Sequence, residues 1–239
     1  MSLRRLVIAW MLIPGFFTIV AQQNYLGISG GGQVNGAYVE HTLRGPRIPG
    51  PDYETVFVQQ PIYGFHAGIQ YKHYNEIKSF RKAHTGIQIS AYYFQRGWQQ
   101  AYFFTEGPIT RMNYLQIPVD ALIFIGTEAN RFFILLGIYG ERLVDYKLGV
   151  EPPEELILQE DFYTYDPDRG DSPYAYGFNG GIGWHATRGK QSFEISSFFS
   201  YSLSNFIYNE RIAEPTPDVS NLWSAGIRLA YLIPLKSRN

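Results

Sequence analysis

The 239-residue sequence predicts an all-β fold, an eight-stranded antiparallel up-and-down transmembrane β-barrel with a side-chain-filled lumen. Three observations predict it. Segments of alternating polarity recur along the chain, each reaching the ~9–11 residues that a tilted transmembrane strand needs. Aromatic residues form 17% of the chain, with 19 Tyr and 17 Phe, yet mean hydropathy is slightly negative at -0.18. A membrane barrel uses such rings as girdles at the two water–lipid boundaries and keeps a polar interior. The connections between segments also alternate between long and short, as they do in outer-membrane barrels.

The N-terminal residues bear on the compartment. Arg4 and Arg5 precede an uncharged stretch from Leu6 to Ala21, which ends Thr18-Ile19-Val20-Ala21. A basic start, a short apolar run and a small final residue describe a secretory signal peptide. The expected division is a signal peptide over 1–21 and an outer-membrane barrel domain over 22–239. The alternative, an N-terminal anchor, has a run somewhat short for a spanning helix.

Read by period two, the first strand is Asn24–Asn35, Gly-rich from Gly27 to Gly32. The second, Tyr63–Tyr74, carries Gln70 and Lys72 on its polar parity. The third, His84–Trp98, sets Ile87, Ile89, Ala91 and Tyr93 against Gln88, Ser90, Tyr92 and Arg96. The fourth, Met112–Gly126, alternates most clearly, with Leu115, Ile117, Val119, Ala121, Ile123 and Ile125 opposite Gln116, Pro118 and Asp120. The fifth, Arg131–Tyr146, holds the longest apolar run after the leader, Phe132 to Gly140, followed by Glu141. The sixth, Tyr174–Ala186, opposes Tyr174, Tyr176, Phe178, Ile182 and Trp184 to Ala175, Gly177, Asn179, Gly181 and His185. The seventh, Gln191–Tyr201, carries Glu194. The eighth, Leu222–Pro234, opposes Trp223, Ala225, Ile227, Leu229 and Tyr231 to Ser224, Gly226 and Arg228. Its Ser224, Gly226, Leu229 and Tyr231 follow the order of a C-terminal β-signal, although Leu232 to Asn239 extend beyond the aromatic.

Periodicity alone does not say which face is out, because a soluble barrel alternates with the opposite polarity. The connections help. Gly36–Ile62, Gln99–Arg111, Leu148–Pro173 and Ser202–Asn221 are long; Asn75–Ala83, Thr127–Asn130 and Thr187–Lys190 are short. The long set is expected outside the cell, with both termini in the periplasm.

The polar parity then faces a lumen only wide enough for side chains or one small ligand. Lys72, Arg96 and Arg228 meet Asp120, Glu141 and Glu194 there, and buried charges must pair. These six form the expected ion-pair network. A selective pore would need more strands.

Other chemistry is sparse. Net charge is -1, with no basic cluster to bind nucleic acid. The absence of cysteine excludes disulfides, thiol catalysis and Cys-bearing zinc sites. His185, Ser192 and Glu194 lie close across a tight turn and could form a hydrolase set, but on the inward parity; a His–carboxylate pair in the lumen is the simpler reading. Within the acidic connection Leu148–Pro173, Asp166, Asp168 and Asp171 flank Gly170 with the close carboxylate spacing of calcium loops. The terminal bidentate Glu of such loops is missing, and clustered like charges more often form a solvated surface. No cofactor is expected.

The succession Arg96-Gly97-Trp98, Asn113-Tyr114-Leu115-Gln116-Ile117-Pro118 and Gly137-Ile138-Tyr139-Gly140 resembles the PorT-like outer-membrane β-barrel family of the Bacteroidetes. The resemblance implies the barrel, and an accessory part in type IX protein secretion, but no catalytic residues. The expected function is a non-enzymatic structural, assembly or surface-interaction role in the outer membrane. Expected partners are outer-membrane lipid and other envelope or secretion proteins. A lipid-modifying outer-membrane enzyme and a small-solute channel remain the alternatives.

Overall fold

The computed structural model describes residues 23–40, 58–75, 83–102, 105–127, 129–149, 165, 167, 170–189, 191–207 and 219–235. The leader over 1–21 lies outside the described residues, as do Asp166 and Asp168. The strands are β1 (Gln23–Glu40), β2 (Val58–Tyr74), β3 (His84–Tyr102), β4 (Thr105–Gly126), β5 (Asn130–Gly149), β6 (Tyr174–Arg188), β7 (Gln191–Ser202) and β8 (Val219–Leu235). Each pairs antiparallel with its neighbour in sequence, and β8 returns to β1, so the eight strands form a closed barrel. Closure leaves no strand edge unpaired in the wall. Among the described residues there is no helix.

Alternation sets the faces. On β5 the burial pattern is strictly periodic from Asn130 to Leu136, with Arg131, Phe133 and Leu135 buried and Phe132, Ile134 and Leu136 exposed. The same holds around the wall, where Ile28, Ile69, Ile117, Ile182, Ile195 and Ile227 all point outward and are exposed. Inside lie Gln70, Lys72, Gln88, Arg96, Gln116, Asp120, Glu141, Asn179, Glu194 and Arg228, all buried. An apolar skin over a polar interior inverts the soluble pattern, and it is the polarity of a barrel whose solvent is lipid.

Several strand boundaries differ from the sequence expectation. The connection expected over Gln99–Arg111 is mostly strand, since β3 and β4 pair to Tyr102 and Thr105. Likewise β5 runs on to Gly149, and β2 begins at Val58. These extensions lie at the end of the barrel away from the short turns, where strands can leave the apolar layer. Period-two hydropathy then fades although the backbone pairing continues. Gly-rich β1, with the least side-chain patterning, is nonetheless an 18-residue strand, held on both sides by β2 and β8.

The lumen is filled in three layers. Nearest the short turns, Tyr25, Tyr74, Leu122, Phe124, Phe133, Leu135 and Leu232 pack together. In the middle are Tyr92, Phe94 and Phe198, with the His66 ring stacked on Phe94 at 5.5 Å between centroids. At the far end, Ala37, Trp98, Met112, Tyr114 and Leu222 are covered by Tyr165, Phe206 and Ile207 from the connecting segments. That cover is fastened by backbone: Phe206 N–H donates to the Ser220 carbonyl (3.1 Å), and Ile207 N–H donates to Ser220 Oγ (3.0 Å).

Candidate functional site in the charged lumen

The strands bring the six ionisable residues singled out by parity into one interior, but they do not form three matched pairs. Lys72 of β2 donates to Glu194 Oε2 of β7 across the barrel. The other Glu194 oxygen accepts from Tyr74 Oη–H (3.1 Å) and lies 2.7 Å from His185 Nδ1. Glu194 is thus saturated, as a buried carboxylate must be. Near the other end, Arg96 Nε sits 3.0 and 3.2 Å from the two Glu141 oxygens, with both side chains fully buried. Gln116 Nε2–H donates to Glu141 Oε2 at 3.1 Å.

From Arg96 a chain of polar groups crosses the barrel. Arg96 Nη1 donates to Ser224 Oγ (2.8 Å), whose hydroxyl donates to Asn35 Oδ1 (2.7 Å). Gln33 Nε2 donates to the same oxygen at 3.1 Å, and Gln33 Oε1 lies 2.7 Å from His66 Nδ1. Gln33, Asn35 and His66 did not figure among the expected site residues. Their signal was faint, because β1 is dominated by glycine and His66 stands between two apolar neighbours.

The contacts of Asp120 and Arg228 are chiefly with uncharged groups. Asp120 is held by amides, accepting from Asn179 Nδ2 at 2.6 Å and Gln88 Nε2 at 3.3 Å. The Arg228 guanidinium instead lies over the rings of Tyr92 and Phe198, at 4.6 and 4.9 Å from their centroids. Aromatic faces offer a desolvated cation a partial substitute for a carboxylate. Arg131, another buried cation missed in the sequence, covers Tyr74 at 4.3 Å and donates to Gln23 Oε1 at 2.9 Å. It opens β5 beside a turn, where position alone reads as solvent.

The hydrolase set resolves differently from its sequence spacing. His185 Nε2 meets Thr187 Oγ1 at 2.9 Å, and Thr187 in turn meets Ser192 Oγ at 2.9 Å. With Nδ1–H directed to Glu194, Nε2 accepts and Thr187 donates. Thr187 thus stands between Ser192 and His185 in the hydrogen-bond chain, and Ser192 is wholly buried. The chain of hydroxyls sits on the inner parity, away from the outer wall. Among the described residues, no group of three or more His, Asp or Glu could hold a metal ion. Asp171, of the acidic connection, is buried.

Neither a protein-family model nor a curated protein matches the chain. Solved structures do. The outer membrane protein OprG from Pseudomonas aeruginosa aligns over 88% of this chain and 96% of its own, at 12% identity and a TM-score of 0.47. Ail, the attachment invasion locus protein of Yersinia pestis, solved in complex with the heparin analogue sucrose octasulfate, aligns over 88% of this chain and 99% of its own. Its identity is 12% and its TM-score 0.36. The barrel itself is established by the closed strand pairing.

Proposed function

We propose that this chain is a non-enzymatic protein of the bacterial outer membrane, which acts through the segments joining its strands at the long-connection end. One observation carries the reading: an apolar outer wall surrounds an interior filled by side chains. The wall favours lipid as solvent, and a closed barrel is the form in which strands cross a membrane. The filled interior disfavours a steady pore, because layers of rings close it from end to end. What remains free to differ is the set of connections, which leaves a structural, assembly or surface-interaction role.

In this reading the leader over 1–21 exports the chain, the long connections face outward and both termini face the periplasm. The resemblance to the PorT-like family supports a finer role as an accessory to type IX protein secretion. Membrane fractionation is the first test and should find the protein in the outer-membrane fraction. A Glu-specific protease applied to intact cells should then cut at Glu151, Glu154, Glu155 or Glu160. Cleavage requiring a permeabilised outer membrane would reverse the topology. Deletion of the gene, followed by analysis of secreted proteins, tests the secretion role; an unchanged secretome would remove it.

A further inference from the structure

We propose that the outer wall carries a binding site for one glycerophospholipid, on the face made by β6, β7, β8, β1 and β2. A convex barrel wall studded with branched side chains ordinarily offers lipid no recess. Here β1 places Gly30 and Gly32 on its outward parity, and Gly30 pairs with Ala67 on one side and Leu229 on the other. The floor is therefore low. Ile28, Leu229, Phe193 and Trp184 rise around it, all exposed, and flank an open groove of about 810 Å³. That volume lies in the ~300–1,000 Å³ range of sites that hold an organic ligand. Its walls present carbon almost throughout, so a polar group entering it would be stripped of water without return.

The groove has a direction. Trp184 and Phe193 stand near the short-turn end, while Gly30 and Ala67 lie further along the wall. Beyond Trp184, on the same outward parity of β6, comes exposed Arg188, paired across the hairpin with exposed Gln191. On β1 and β2 the same border carries Asn24, whose Oδ1 accepts from Tyr71 Oη–H at 3.0 Å and lies 2.7 Å from His73 Nδ1. An apolar trough with a guanidinium and amides further toward the short-turn end matches an acyl chain joined to a phosphate. A guanidinium is the side chain best shaped to hold that phosphate. A partner protein would need no such succession of carbon and then charge toward the membrane surface. The site rests on the membrane placement proposed above, and the leaflet it serves is the one at the short-turn end.

The test uses the full-length, detergent-folded barrel, titrated with phosphatidylglycerol or with purified lipid A and read by native mass spectrometry. Wild type is expected to retain one phosphatidylglycerol at concentrations where a second does not bind. Ala67→Phe, which fills the floor from an exposed position, should weaken retention about tenfold or more. Arg188→Glu should weaken it as well, and Ala121→Phe, on the outer face of β4, should leave it unchanged. Heat-modifiable migration on a gel confirms that each variant is folded. Equal retention by Ala67→Phe and wild type, or preference for lipid A, would overturn the site. If cell fractionation finds the protein outside the membrane, the placement itself fails, and that result is separate from the titration.

Discussion

Glu194 accepts hydrogen bonds from Lys72 and Tyr74 and contacts His185, all inside the lumen. Glu194→Ala would leave the Lys72 ammonium buried without a carboxylate, a change that typically costs ~3–5 kcal/mol. The double variant Lys72→Met with Glu194→Leu removes both charges and should recover part of that loss, as read from urea titrations of the detergent-folded protein. Additive losses would mean that water already reaches the pair. Arg228 behaves differently because its neighbours are rings. Its coupling to Tyr92 or Phe198 in a double-mutant cycle should be about 1–2 kcal/mol. Gly97 supplies a backbone example: its φ is 150°, and a Cβ there would stand 2.1 Å from the Thr110 carbonyl oxygen. Gly97→Ala should lower stability by roughly 1–3 kcal/mol, the usual cost of a strained backbone position. Arg96 pairs with Glu141 and lies 5.2 Å from the Tyr139 ring, so these residues are tied together by packing.

At the scale of the strand, β4 offers the sharpest test of faces. Val119 is exposed on the outer wall, while Asp120, the next residue, is wholly buried. Val119→Arg should destabilise the barrel by about 2–4 kcal/mol near the membrane midplane, and Val119→Leu should be nearly silent. Refolding into lipid vesicles at graded urea measures both; a tolerated arginine would put that face in water. This parity was legible in the sequence because apolar residues at 115, 117, 119, 121, 123 and 125 leave the other face to Gln116 and Asp120. Pairing was not legible, since alternation says which way a side chain points and nothing about its height in the barrel. The union of Lys72 with Glu194, and of Arg96 with Glu141, depends on the stagger of strands that are not sequence neighbours. Parity also breaks at irregularities: opposite Asn113 and Tyr114 the β5 partners jump from Asp145 to Leu143. Beyond that point Asp145 and Lys147 are exposed, and the upper parts of β4 and β5 no longer read as period-two strands.

For the molecule as a whole, the three packed layers predict no steady ion conductance in planar bilayers. The closure of the wall is testable separately. Leu26 faces Ile233 in the β1–β8 register, and the chain contains no cysteine. A Leu26→Cys, Ile233→Cys variant should be joined by a short bifunctional thiol reagent, and unfolded protein should not be. Failure to cross-link the folded form would mean an open sheet.

The same seam has a consequence for the order of assembly. Each of the other pairings joins consecutive strands, and four of them close over short connections, whereas β1 with β8 unites the two ends of the described chain. Closing so distant a contact carries the largest loop entropy, which makes it the slow step. β1 also has glycine at 27, 30, 31, 32 and 36, the residue with least to offer a strand before its neighbours are in place. The barrel should therefore pass through a sheet that holds most of its strands while β1 and the free side of β8 wait for each other. Pulse-labelled hydrogen exchange during refolding should find the amides of β1 protected last. During that interval the chain has the exposed edge that its finished form lacks, and it is then that a helper able to bind a strand edge would find it.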